Sequence, residues 1–169
     1  MKNVITSPGL IYLALLLTVA YITSCKPASS FNATAIRDSV SQMTANIARD
    51  ISAKGPAAWL DYFDDTPDFF MASNGQLVFK DYTAARAFIQ NSLVRVISKI
   101  NLRWHQVRID AFSPDVAAVG ADFHEDLTDI KGQTTAVDGY FTATAHHTAN
   151  GWKLRNAHWS LNPKTKAAP

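Results

Sequence analysis

The side chains able to do chemistry in this chain are few, and most gather in its last third. His158 is a candidate general base, because a neutral imidazole titrates close to neutral pH. Asp122 and His124 lie two apart, which on a strand puts both on one face as a candidate acid–base pair. Each has a purely structural reading too. His158 could be a buried histidine satisfied by backbone or by Tyr140, and Asp122 with His124 a half-exposed strand couple. His146 and His147 are adjacent, so their rings leave opposite faces of a strand and cannot close on one metal ion. Asp61, Asp64 and Asp65 fall at the C-terminal end of a predicted helix, where the dipole disfavours carboxylates. They read either as acids at the mouth of a site or as a solvated loop. No His-x-x-x-His spacing falls on a predicted helix, and no metal or other cofactor is expected.

The elements that must position these groups change period once. Apolar residues at Ile36, Val40, Met43, Ile47 and Ile51 step by four, three, four and four, the stripe of one helix. Gly55-Pro56 ends it and opens a second, short helix through Trp59, Leu60, Tyr62 and Phe63, which Asp65-Thr66-Pro67 breaks. Ser73-Asn74-Gly75 between two apolar runs predicts a hairpin. Asp81 then caps a third helix carrying Ala85, Phe88, Ile89 and Leu93. From Ser98 the period is two. Ile100, Leu102 and Trp104 alternate with polar neighbours, followed by strands over Val116–Asp129, Thr134–Thr148 and Trp152–Leu161. Three long strands joined by tight turns make an antiparallel meander, and helices before strands argue an α+β fold.

Cys25 is the chain's single cysteine, and it closes Ile22-Thr23-Ser24-Cys25. That tetrapeptide resembles a bacterial lipobox, whose cysteine is acylated and becomes the mature N-terminus. Lys2 and the uncharged apolar run Leu10–Ile22 have the order of a signal peptide, and the run is shorter than the roughly 20 residues of a membrane span. The reading is therefore a signal peptide over 1–24, an acylated Cys25 with a tether to 32, one domain over 33–163 and a disordered tail over 164–169. It anchors the chain to the cell envelope through lipid, and Lys26 points to the outer membrane rather than the inner if the host is Gram-negative. With Cys25 acylated no thiol remains, which excludes thiol catalysis and intrachain disulfides. The composition, 47% hydrophobic and 18% charged, is that of a globular domain with one core. A net charge of +2 without any Lys/Arg cluster excludes nucleic acid as an expected partner.

The final hairpin carries a resemblance. Asp138-Gly139-Tyr140-Phe141-Thr142 leads through Asn150-Gly151-Trp152-Lys153-Leu154 to Asn156-Ala157-His158-Trp159-Ser160. This, with the element order, resembles the nuclear transport factor two-like superfamily and its SnoaL-like and ketosteroid-isomerase-like members. Many of them end with Gly-Arg-Phe-Thr, a Gly-x-Trp turn and His-x-His-x-Ser; here Tyr140 stands for the Arg and Asn156 for the first His. The resemblance implies a cone, a curved antiparallel sheet wrapped around three N-terminal helices. It also implies that Trp152, Leu154, Asn156, His158 and Ser160 face the pocket while Trp159 and Leu161 point away. Tyr140, Thr142 and Thr144 would join the pocket set, with Trp104 and His124, and Trp59, Tyr62 and Phe63 would close the mouth.

Three functions are consistent with that frame. The first is a non-catalytic domain binding a small apolar or amphipathic molecule. The second is a cofactor-free isomerase, cyclase or hydrolase using Asp122, His158 and Tyr140, since ketosteroid isomerases set a general-base Asp beside a Tyr donor. The third is a homodimeric interaction module meeting through the sheet face. Binding ranks first because no complete catalytic constellation can be read.

Overall fold

The computed structural model describes residues 31–162. The expectations for Cys25, the signal segment, the tether up to residue 30 and the tail lie outside them. Helix α1 spans Ala33–Lys54. The Asn32 side chain caps it, accepting from the Ala35 amide at 3.0 Å. Val40, Met43, Ile47 and Ile51 are its buried stripe, joined by Thr44, whose hydroxyl donates to the Ser41 carbonyl. Gly55, at φ 81°, ends α1 in a conformation that favours glycine. The predicted second helix is a 3₁₀ turn, Pro56–Asp61, that buries Ala58 and Trp59.

Strands β1 (Phe70–Ser73) and β2 (Gln76–Phe79) form the predicted hairpin, with Asn74 at φ 48° and Gly75 at φ 81° in its turn. Helix α2 spans Tyr82–Phe88, capped by Asp81, whose carboxylate accepts from the Ala84 amide at 2.7 Å. It runs on through a π turn, Ile89–Leu93, and a last turn, Val94–Val96. Four long strands follow instead of three: β3 (Ile97–Ser113), β4 (Val116–Asp129), β5 (Thr134–Thr148) and β6 (Gly151–Leu161).

The strands make one six-stranded sheet in the order β2-β1-β6-β5-β4-β3. The expected all-antiparallel sheet is in fact mixed, because β1 pairs with β6 in parallel, Phe70 to Ser73 against Asn156 to Trp159. One contact shows how the chain is brought there. Arg155 on β6 donates to Asp64 at 3.0 Å, Thr66 at 2.8 Å and Asp68 at 2.5 Å, fastening the segment that leads into β1. The Asp64 carboxylate is buried, held also by the His146 ring at 3.4 Å, so it is neither a solvated loop residue nor a free acid at a mouth. The core lies between α1, the 3₁₀ turn and the concave sheet face, with Phe69, Phe123, Phe141 and Leu154 almost wholly buried. Two hydrogen bonds set α1 along the sheet: Trp104 Nε1 donates to the Thr44 carbonyl and Trp152 Nε1 to the Ser39 hydroxyl, each at 3.0 Å. Among the described residues no helix is long and apolar enough to cross a membrane.

Candidate functional site

Strand parity decides what faces the interior. On β4 the buried residues are Ala117, Val119, Ala121 and Phe123, so Glu125 and Leu127 continue the inward set. On β5 they are Phe141, Ala143 and Ala145, which turns Val137 and Gly139 inward and Tyr140, Thr142 and Thr144 outward. On β6 Trp152 and Leu154 face the core, but the register shifts between Thr144 and Ala145 of β5. Asn156 pairs with Thr144 and Leu154 with Ala145, leaving Arg155 as an extra residue. That bulge reverses the alternation. Beyond it Ala157 and Trp159 face the core, and Asn156, His158 and Ser160 face away.

The expected facing is therefore inverted for much of the predicted set. Tyr140, Asn156 and His158 lie on the outer sheet face, as do Asp122 and His124. Several meet there: Asp122 pairs with Tyr140 and Thr142 with His158 across the ladder. Asn156 lines a shallow outer groove with Arg108, Asp110, Gly120 and Thr144. His124 sits between two carboxylates, 2.6 Å from Asp138 and 3.1 Å from Asp126, and Arg103 reaches Asp126 at 3.1 Å. The hydrogen bonds to Asp138 and Asp126 hold the imidazole above its ordinary range. His146 turns to Asp64, while His147 lies edge-on to Trp152 at 5.1 Å, so the two rings do part as their adjacency requires. Tyr62 is used elsewhere. Its hydroxyl donates to Asp50 at 2.8 Å, and burial followed by that bond pushes it up to about 12.

The interior cavity is about 300 Å³ and lies between α2, the hairpin and the concave sheet. Trp59 and Phe63, both expected to line a pocket, form its floor with Trp159. Trp104 stands behind that floor, its ring 5.8 Å from Trp159 and stacked on it. Phe79, Phe88 and Ile89 wall one side; Ile100, Leu127 and Val137 wall the other. The aromatic floor is continuous. Trp159 is edge-on to Trp59 at 5.5 Å and to Phe123 at 4.5 Å, and Trp59 stacks on Phe63 at 5.8 Å.

Into this apolar space projects one carboxyl group. Glu125 pairs with Leu102 of β3 on one side and Val137 of β5 on the other, so no cross-strand partner neutralises it. Burial alone pushes it up to about 7. Ser73 is the other small polar side chain in the lining. A carboxyl group that titrates near neutrality can hold or release a proton, accept a hydrogen bond or pair with a cation, according to what fills the cavity. Neither Glu125 nor Trp159 was expected at the site from sequence. The signal for Glu125 was present, since it stands in step with Ala121, Phe123 and Leu127 on β4. No group of histidine, cysteine, aspartate and glutamate able to hold a metal ion occurs among the described residues.

Comparison with known proteins agrees with this architecture. The family model of the SnoaL-like domain matches residues 31–163. No curated protein matches the sequence. Among solved structures, a nuclear transport factor 2-like superfamily protein from Salmonella enterica serovar Typhimurium superposes with a TM-score of 0.65 at 16% identity, over 79% of this chain and 95% of that one. A hexachlorocyclohexane dehydrochlorinase (LinA, type 2) gives 0.61 at 14% identity, over 80% and 95%. A protein described as a putative scytalone dehydratase from Novosphingobium aromaticivorans gives 0.65 at 12%, over 80% and 97%. At such identities the likeness speaks for the fold alone.

Proposed function

The chain belongs to the SnoaL-like family, and we propose that its cone binds a small, mainly apolar molecule whose one polar group is presented to Glu125. The observation that carries this reading is the cavity of about 300 Å³ with aromatic and aliphatic walls and a single ionisable side chain. Such a volume is at the small end of the roughly 300–1,000 Å³ typical of ligand pockets and suits a molecule of one or two rings. Apolar contact supplies most of the affinity, and Glu125 fixes orientation.

A test follows from the register. Val137 faces Glu125 across the ladder and lines the cavity, so Val137→Trp places an indole where the ligand would sit. Calorimetric titration with indole as a neutral probe should give saturable binding to the native chain. In Val137→Trp it should weaken about tenfold or more, a change of about 1.4 kcal/mol or more. Equal binding by a folded Val137→Trp would place the probe elsewhere and remove the pocket from the account.

A second reading, proton-transfer catalysis without a cofactor, draws support from Glu125, raised by burial to near neutrality within an apolar lining. The dehydrochlorinase and the putative dehydratase are precedents for reactions on this fold, not for this chain. It ranks second because no other ionisable side chain lines the cavity among the described residues, so no acid–base partner faces Glu125.

We also assign the domain to the bacterial cell envelope, held by lipid on Cys25, and, in a Gram-negative host, to the outer membrane rather than the inner on account of Lys26. The support is Ile22-Thr23-Ser24-Cys25 after its apolar run. In a bacterial host, labelled palmitate should enter the native chain and not Cys25→Ser. Equal labelling of both would sink the anchor.

A further inference from the structure

We propose that this cavity selects small apolar cations, arylalkyl amines above all, over neutral or anionic molecules of the same size, through the Glu125 carboxylate and the aromatic rings beside it. The inference rests on the pocket reading and names its ligand class.

Three observations converge. The first is the charge inventory. Among the described residues lining the cavity, Glu125 is the one ionisable group, and no Lys, Arg or His joins it. An anion would find no partner there and would meet a like charge. A cation would find its counter-ion already in place.

The second is what Glu125 lacks when the cavity is empty. Its cross-strand neighbours are Leu102 and Val137, and its titration is displaced by loss of water with no compensating charge. The charged groups nearest in sequence and register, His124, Asp126, Asp138 and Arg103, pair with one another on the opposite sheet face. On α2, which packs over the cavity, Arg86 and Arg95 are exposed and are absent from the lining. An entering ammonium group restores the ionised carboxylate and makes a charge-assisted hydrogen bond, roughly twice as strong as the bond a neutral hydroxyl would make.

The third is the wall. Trp59, Phe63, Phe79, Phe88 and Trp159 surround the space, and aromatic faces attract a desolvated cation while accepting an aryl ring. The anionic head of a fatty acid or a phosphate ester would find no cationic side chain in this lining.

The test uses three probes of nearly equal shape, 2-phenylethylamine, 2-phenylethanol and phenylacetate. They are titrated into the full chain held in lipid nanodiscs, so that no detergent competes for the cavity. At pH 8 the amine should bind about tenfold or more tighter than the alcohol, and phenylacetate should bind weakest. The sign of the pH dependence is fixed. Below about pH 7 Glu125 is protonated when empty and must release that proton to pair with the amine, so amine affinity falls about tenfold per pH unit. The ammonium keeps its charge throughout this range, and the alcohol should show no such fall. In Glu125→Gln the amine should bind no tighter than the alcohol does in the same variant, and its affinity should lose the fall below pH 7. Alcohol binding as tight as amine binding, or amine affinity flat from pH 5 to 8, overturns the inference while leaving the pocket standing. If none of the three binds, the pocket reading fails and this inference with it.

Discussion

Gly139→Ala is expected to destabilise the domain by about 3 kcal/mol, the upper part of the range for overpacked interiors. A Cβ at this position would fall 2.2 Å from the Ser160 carbonyl oxygen and 2.7 Å from the Phe123 ring. Gly139 pairs with Phe123 across β4 and β5, and the phenyl ring occupies the space a side chain would need. Neither neighbour can step aside. The Ser160 oxygen belongs to strand β6, and Phe123 is buried and wedged edge-on against Trp159. The effect is one of packing, since Gly139 is not among the glycines with positive φ. Urea denaturation measures it. A midpoint close to that of the native chain would mean that the contact of β5 with Phe123 is looser than described.

Trp159→Ala should cost about 3 kcal/mol, the lower end of the range for large-to-small changes of core aromatics, because Trp159 is half-buried. Trp159 is the hub of the aromatic floor. Its ring lies 4.8 Å from Phe141, 4.5 Å from Phe123, 5.5 Å from Trp59 and 5.8 Å from Trp104. Truncation removes four aromatic contacts together and joins the space to the cavity above. Trp159→Phe should recover much of the loss, because a smaller ring still fills part of the floor. Thermal and urea unfolding of the two variants checks this. An alanine variant as stable as the phenylalanine variant would contradict the hub.

Both predictions turn on residues whose inward facing the sequence made easy to mistake. The helical stripe of α1, the Asn74-Gly75 turn and the Asp81 cap were legible because each is a local signal with a local cause. The α+β class followed from the change of period. The site was harder, because a sheet's interior depends on parity and a single bulge reverses parity. Counting by two from Trp152 places His158 inside, and the extra residue at Arg155 places Trp159 there instead. Nothing in the residue types around Arg155 announces the bulge. Its fixed position follows from long-range partners, Asp64, Thr66 and Asp68, some 90 residues earlier. The parallel pairing of β1 with β6 was hidden for the same reason, since it joins segments far apart in the chain. Glu125 was legible in principle. A charged residue in step with Phe123 and Leu127 on an otherwise apolar face is a buried ionisable group, the kind that marks a site. Histidines drew attention by type, whereas Glu125 is distinguished only by position.

The central claim is that a ligand enters between the aromatic floor and Glu125. Methyl-resolved NMR of the chain labelled at Ala, Ile, Leu and Val, with indole added stepwise, tests it most directly. The expected result is saturable shifts of the Ile100, Leu127 and Val137 methyls, which line the cavity, with the Ala118 methyl at the outer groove unmoved. Shifts at Ala118 with the cavity methyls silent would put the binding surface on the outer face of the sheet and contradict a ligand in the cavity.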